Sequence, residues 1–154
     1  MLAFALAATL LATPVQGGDM TRNVLADVCL PYVTGESSDT AALDFLGFLM
    51  APPSGEGRMF ASEDEAYLLR QTTTGSAEDD NLNRVCVIQA RREDLGAVRS
   101  SITPILRQQG FTAEADLPAD RPIWTKGGIT VSLRQNPGAA TVIRVTYSSL
   151  DAGI

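Results

Sequence analysis

The side chains able to do chemistry in this chain are two cysteines, Cys29 and Cys86, eighteen carboxylates and twelve basic residues; histidine is absent. Without an imidazole there is no Ser-His-Asp or Cys-His relay, because no other side chain titrates near neutral pH in an ordinary setting. His-ligated zinc and axial-His haem are excluded with it, and two thiols do not complete a four-thiolate zinc or iron–sulfur site. Neither GxxxxGKS/T nor a GxGxxG after a strand occurs, so no phosphate-cradling loop is legible. The residues imply no metal and no cofactor, and no catalytic set stands out.

The carboxylates gather in two runs, Glu63-Asp64-Glu65 and Glu78-Asp79-Asp80. Two carboxyl groups at a defined separation across a cleft hydrolyse glycosides without histidine. A small carboxylate-dependent hydrolase is therefore one reading of the first run. The second run lacks the DxDxDG spacing that wraps calcium, and solvated acidic loops account for both.

The basic residues are placed unevenly. Residues 1–83 hold 3 basic and 12 acidic side chains, net −9, whereas residues 84–154 hold 9 and 6, net +3. All but Lys126 are arginine. Arg134 and Arg144 fall, with Thr130 and Ser132, on the polar face of a predicted three-strand meander, beside Thr125 and Thr146. Arginine presents a bidentate fork to carboxylates and phosphates, so this face is a candidate site for a small acidic ligand; an unknown envelope protein is the other expected partner. It could equally pair with the chain's own acidic half, or face water. Nucleic acid is a poor partner for a chain with a pI near 4.5, since binding it requires neutralising phosphates with Lys and Arg.

The elements that would position these groups begin with a leader. Leu2 to Ala12 (LAFALAATLLA) is apolar but for Thr9. That suits the hydrophobic region of a signal peptide and falls short of the roughly 20 residues a bilayer span needs. Thr13 to Gly18 is helix-breaking and offers small residues for cleavage, with Val15 at −3 and Gly17 at −1. Residues 1–17 are expected to be a signal peptide and 18–154 a single domain, periplasmic or secreted, with no transmembrane span. No Lys or Arg precedes the apolar run; a retained buried helix and a membrane anchor are the competing readings. In an oxidising compartment an even pair of cysteines reads as a disulfide, while buried free thiols or a reactive thiol are the alternatives. Reactivity would need a base or a positive field, and Asp27 works against it.

The spacing predicts a first helix to about Leu30, ended by Pro31, and a second over Thr40–Met50, apolar nearly all round and so buried on several sides. If one side stayed exposed, it would dock a partner or a lipid surface. Period-two runs at Ala66–Thr74 and Arg84–Arg91 are predicted strands. The second carries apolar residues on both faces, which suits a central strand covered on both sides. A helix opened by Glu93 and Asp94 runs to Gly110, with Pro104 expected to kink or split it. Ile123–Lys126, Gly127-Gly128 and Ile129–Arg134 make a two-residue hairpin, with Trp124 and Val131 on one side. Asn136-Pro137-Gly138 turns into Thr141–Ser148. The expected fold is α+β: two N-terminal helices, an antiparallel sheet of about five strands, and one further helix between strands two and three.

This layout resembles a group of small uncharacterised exported bacterial proteins. The matching residues are the leader, Cys29-Leu30-Pro31 ending a short helix, and a second Cys in the strand segment Val85-Cys86-Val87. The resemblance implies an exported location and a Cys29–Cys86 bridge; it implies no activity. Together these readings point to an exported, non-enzymatic binding or interaction module of the cell envelope, with a carboxylate-dependent envelope hydrolase as the alternative.

Overall fold

The computed structural model describes residues 19–52, 55–135 and 138–152. The expected leader lies outside them, as do Asn136-Pro137 of the expected turn. Eight strands form one antiparallel sheet in the order β1-β2-β3-β4-β8-β7-β6-β5. In chain order they are β1 (Phe48–Met50), β2 (Arg58–Ser62), β3 (Tyr67–Thr74), β4 (Asn83–Ala90), β5 (Thr112–Ala113), β6 (Ile123–Lys126), β7 (Ile129–Gln135) and β8 (Thr141–Ser148). The expected sheet of about five strands is thus corrected to eight. The three additional strands, β1, β2 and β5, have five residues or fewer, too short for alternation to register in sequence.

The helices also depart from expectation. The first runs past Pro31: α1 (Asp19–Val24), a π-helical stretch (Leu25–Cys29) and α2 (Leu30–Thr34) follow without a break. In the π-turn the Leu30 N–H reaches back to the Leu25 carbonyl. This wider turn makes room for the Pro31 ring, which would otherwise strike the carbonyl four residues earlier. The helix stops instead at Gly35, whose φ of +81° is left-handed; Gly35 donates to the Tyr32 carbonyl and Glu36 to Pro31, a Schellman ending. The Arg84 guanidinium closes over that end, 3.3 Å from the Val33 carbonyl, a cation at the negative helix terminus.

The predicted Thr40–Met50 helix is a single short helix, α3 (Ala41–Phe45), and then strand β1. Gly47, with φ +79°, makes the change of direction. By contrast α4 (Leu95–Gln108) is continuous through Pro104, so the split expected there does not occur. The Asp94 carboxylate caps it by accepting from Ala97 N–H at 2.9 Å. Among the described residues no helix is long and apolar enough to cross a membrane.

All the helices but α4 precede the sheet, and the core lies between helices and one sheet face. Val24, Leu25, Val28 and Val33 from the first helix meet Val98, Ile102 and Leu106 of α4 over Phe60, Leu69, Ile88, Val131, Leu133, Ile143 and Val145. Trp124 joins them at 2% exposure and pairs in register with Val131, the side the hairpin pattern assigned to both. Cys29 and Cys86 are disulfide-bonded, with Cα atoms 5.4 Å apart. Both are fully buried, so the bridge fastens the π-helical stretch to β4 inside the core.

Candidate functional site

The helices cover one face of the sheet; among the described residues, no layer lies on the other. Because side chains alternate along a strand, the register assigns every residue of this second face. Met59, Arg70, Val87, Arg144, Ser132 and Ile123 form one cross-strand row. Leu49, Ala61, Leu68, Gln89, Val142 and Arg134 form the adjacent one. Thr72, Val85, Thr146, Thr130 and Thr125 form a third. The face therefore changes character across its width. Toward β1–β4 it is mainly apolar, interrupted by Arg70, Thr72 and Gln89, and toward β8–β6 it is mainly polar, with Arg134 and Arg144.

This arrangement corrects the reading of β4. Val85 and Val87 alternate with buried Cys86 and Ile88, but they are half-buried, on a face without a covering layer. The strand is central and covered on one side only.

Two hollows mark the middle of the face. One, of about 220 Å³, is lined by Met59, Leu68, Arg70, Val87 and Gln89 among others. Its neighbour, of about 230 Å³, is lined by Arg70, Thr72, Val85, Val87 and Arg144. They share Arg70 and Val87. Arg70 and Arg144 stand two strand spacings apart across Val87, about 10 Å at the backbone. Arg70 is tied by Nε and Nη2 to the Glu56 carbonyl at 3.2 and 2.8 Å, which holds its guanidinium at the rim. Arg134 and Arg144 make no ion pair with any described residue, and neither does Arg70.

The four candidate residues thus share one face. Ser132 and Arg144 are direct cross-strand partners, Thr130 lies opposite Thr146, and Arg134 opposite Val142. Sequence reading missed Arg70, Val85, Val87 and Leu68 as members of the same face. Their outward parity was legible, but which strands adjoin β8 was not.

The acidic run between β2 and β3 disperses. Asp64 meets Arg92 at 3.3 Å and Glu65 meets Arg91 at 3.5 Å, so part of the acidic half is neutralised by the basic half, though not by Arg134 or Arg144. The Asp64 carboxyl is held below the ordinary range, first by the Ala66 N–H and then by the Ser62 hydroxyl. Glu63 instead lines an open hollow of about 290 Å³ with Asp44, Gly47, Phe48 and Leu49. From the segment predicted to be an apolar helix, Leu43 and Phe48 are buried, whereas Phe45 (90%), Leu49 (66%) and Met50 (64%) are exposed.

Glu93, expected with Asp94 to open a helix, precedes the Asp94 cap of α4 and is buried at 7% exposure. Its carboxylate accepts from Thr21 Oγ1 at 2.7 Å and from the Tyr67 hydroxyl, while its carbonyl accepts from Thr141 Oγ1 at 2.6 Å. One residue thereby joins α1, β3, β8 and the start of α4. Burial, and then the hydrogen bond to this carboxylate, push the Tyr67 phenol well above its ordinary value. Among the described residues no three carboxylates or thiols gather as a metal ion would require. Comparison with protein-family models, with curated proteins and with solved structures gives no match to this chain.

Proposed function

We propose that the protein is an exported, non-enzymatic binding module of the bacterial cell envelope, and that its uncovered sheet face takes an acidic envelope protein or small acidic ligand. One observation carries this reading: Arg70 and Arg144, without acidic partners among the described residues, flank Val87, with Arg70 lining both of the adjoining hollows and Arg144 the second. Guanidinium groups beside apolar surface bind a carboxylate in a less hydrated setting than open water, where the pair is worth more. Arg134, Ser132 and Thr130 extend the same face with further donors. The exported location is supported by the apolar run Leu2–Ala12, by the buried disulfide, which persists in oxidising compartments, and by the Cys29-Leu30-Pro31 resemblance.

A photo-crosslinking residue placed at Val87 and irradiated in the native envelope tests the face. The wild-type chain should give a discrete adduct, lost in the Arg70→Gln/Arg144→Gln double variant and weakened by salt. Identical adducts in both chains would remove the arginines from the site. Intact mass with and without reduction tests location: a mature chain lacking about seventeen residues, alkylated only after reduction, is the expected result.

The hydrolase reading is favoured by the shared hollow of Asp44 and Glu63. Release of reducing ends from envelope glycan, abolished by both Asp44→Asn and Glu63→Gln, would replace the binding reading.

A further inference from the structure

A separate hollow of about 210 Å³ lies between α4 and the segment that follows β5. It is smaller than the roughly 300–1,000 Å³ pockets that take drug-sized ligands, so its occupant is small. Arg99, Thr103 and Arg107 line one wall. They recur at intervals of four on α4, one stripe of a helix, with the two arginines spanning about 12 Å along its axis. Glu114 and Leu117, from the segment after β5, line it as well, and so does Trp124 of β6, itself buried.

The charges in this hollow are of both signs and do not neutralise one another. Arg99 Nη1 lies 3.4 Å from the Ala119 carbonyl. Neither arginine comes within ion-pair distance of Glu114, and none of the three pairs with another described residue. Thr103 Oγ1 donates to the Arg99 carbonyl at 2.6 Å, leaving its lone pairs as acceptors. Two guanidiniums call for a carboxylate, which arginine grips with two parallel hydrogen bonds. A lone carboxylate in the same hollow calls for a cation. Leu117 and the indole offer apolar contact between them.

We propose that this hollow binds a small zwitterion of the α-amino acid type. Its carboxylate meets Arg99 and Arg107, its ammonium meets Glu114, and an apolar side chain lies against Leu117 and Trp124. A simple anion would face Glu114 with like charge, and a simple amine would face two guanidiniums. The site is independent of the sheet face and stands whether or not that face binds anything.

Trp124 is the only tryptophan in the chain, so its fluorescence reports on the hollow directly. The full chain is titrated with L-leucine, L-leucinamide and 4-methylpentanoate; the last two lack the carboxylate and the ammonium respectively. Leucine should give a saturable change, and each analogue should bind about tenfold or more weakly, the usual cost of removing a charged hydrogen-bond partner. Arg107→Gln, and Arg99→Gln as a second variant, should weaken leucine by a similar factor. Glu114→Gln should abolish the preference for leucine over 4-methylpentanoate. Equal binding of leucine and 4-methylpentanoate to the wild-type chain would overturn the proposal. So would the absence of saturable binding, by fluorescence and calorimetry, across a panel of apolar amino acids.

Discussion

Glu93 ties three other elements together from a buried position. A buried carboxylate is costly unless its lone pairs are filled, and here Thr21 and Tyr67 supply donors from two other elements. The consequence for pH follows from Tyr67. Its folded pKa lies above the ordinary 10.0, so above about pH 10 the unfolded chain releases a proton that the folded chain retains. The stability is complete below that pH and is lost as pH rises toward the folded value. Tyr67→Phe should therefore flatten the alkaline limb of a stability-against-pH curve measured by urea unfolding. An unchanged alkaline limb would show that the phenol is not clamped. Asp64 works in the opposite sense: its depressed carboxyl contributes stability that is lost as pH falls. The role of Glu93 was not legible in sequence, because its partners lie 72 and 26 positions away. The outward setting of Arg134 and Arg144 was legible, since alternation within one strand is a local property.

At the scale of elements, long periodic runs were readable and short ones were not. β8 and the hairpin at Gly127-Gly128 fall where their spacing placed them, because a two-residue glycine turn fixes register by itself. The Thr40–Met50 run misled because an apolar stretch has no diagnostic period, and one left-handed glycine converts its second half into an edge strand. Pro31 misled for the opposite reason: a π-turn accommodates a ring that would interrupt a regular helix. β4 gives the sharpest test of the layer arrangement. Ile88 is fully buried, so Ile88→Ala should cost about 2–5 kcal/mol in chemical denaturation, the range for large-to-small core changes. Val87, one residue away on the uncovered face, should tolerate Thr within about 0.5 kcal/mol. A comparable loss at both positions would mean that something covers the second face.

At the scale of the whole molecule, the order of elements repeats: helices then a four-strand meander, followed by α4 then a second four-strand meander. The corresponding strands match in length, three against two, five against four, eight against seven, and eight against eight. The sequence shows no repeat because the halves differ in composition, the first acidic and the second basic. The disulfide fastens only the first half, spanning 57 positions. Loop-closure entropy gives it about 4 kcal/mol, and the Cys29→Ala/Cys86→Ala double variant should lose about 2–5 kcal/mol by urea titration. A smaller loss would mean that helix packing alone holds α1 and α2 against β4.

The two meanders meet along a single seam, the β4–β8 ladder, which pairs Asn83 with Ser148 and Ala90 with Thr141. β8 is also the last of the eight strands to be synthesised. While it is still inside the ribosome, β4 and β7 both present bare hydrogen-bonding edges, and the nascent chain has no complete sheet to close. Such a chain stays open to chaperones until β8 emerges. A premature stop before Thr141 would leave two unjoined half-sheets whose exposed edges invite pairing between molecules. Loss of β8 would therefore surface as aggregation or proteolysis, well before any effect on binding could be seen.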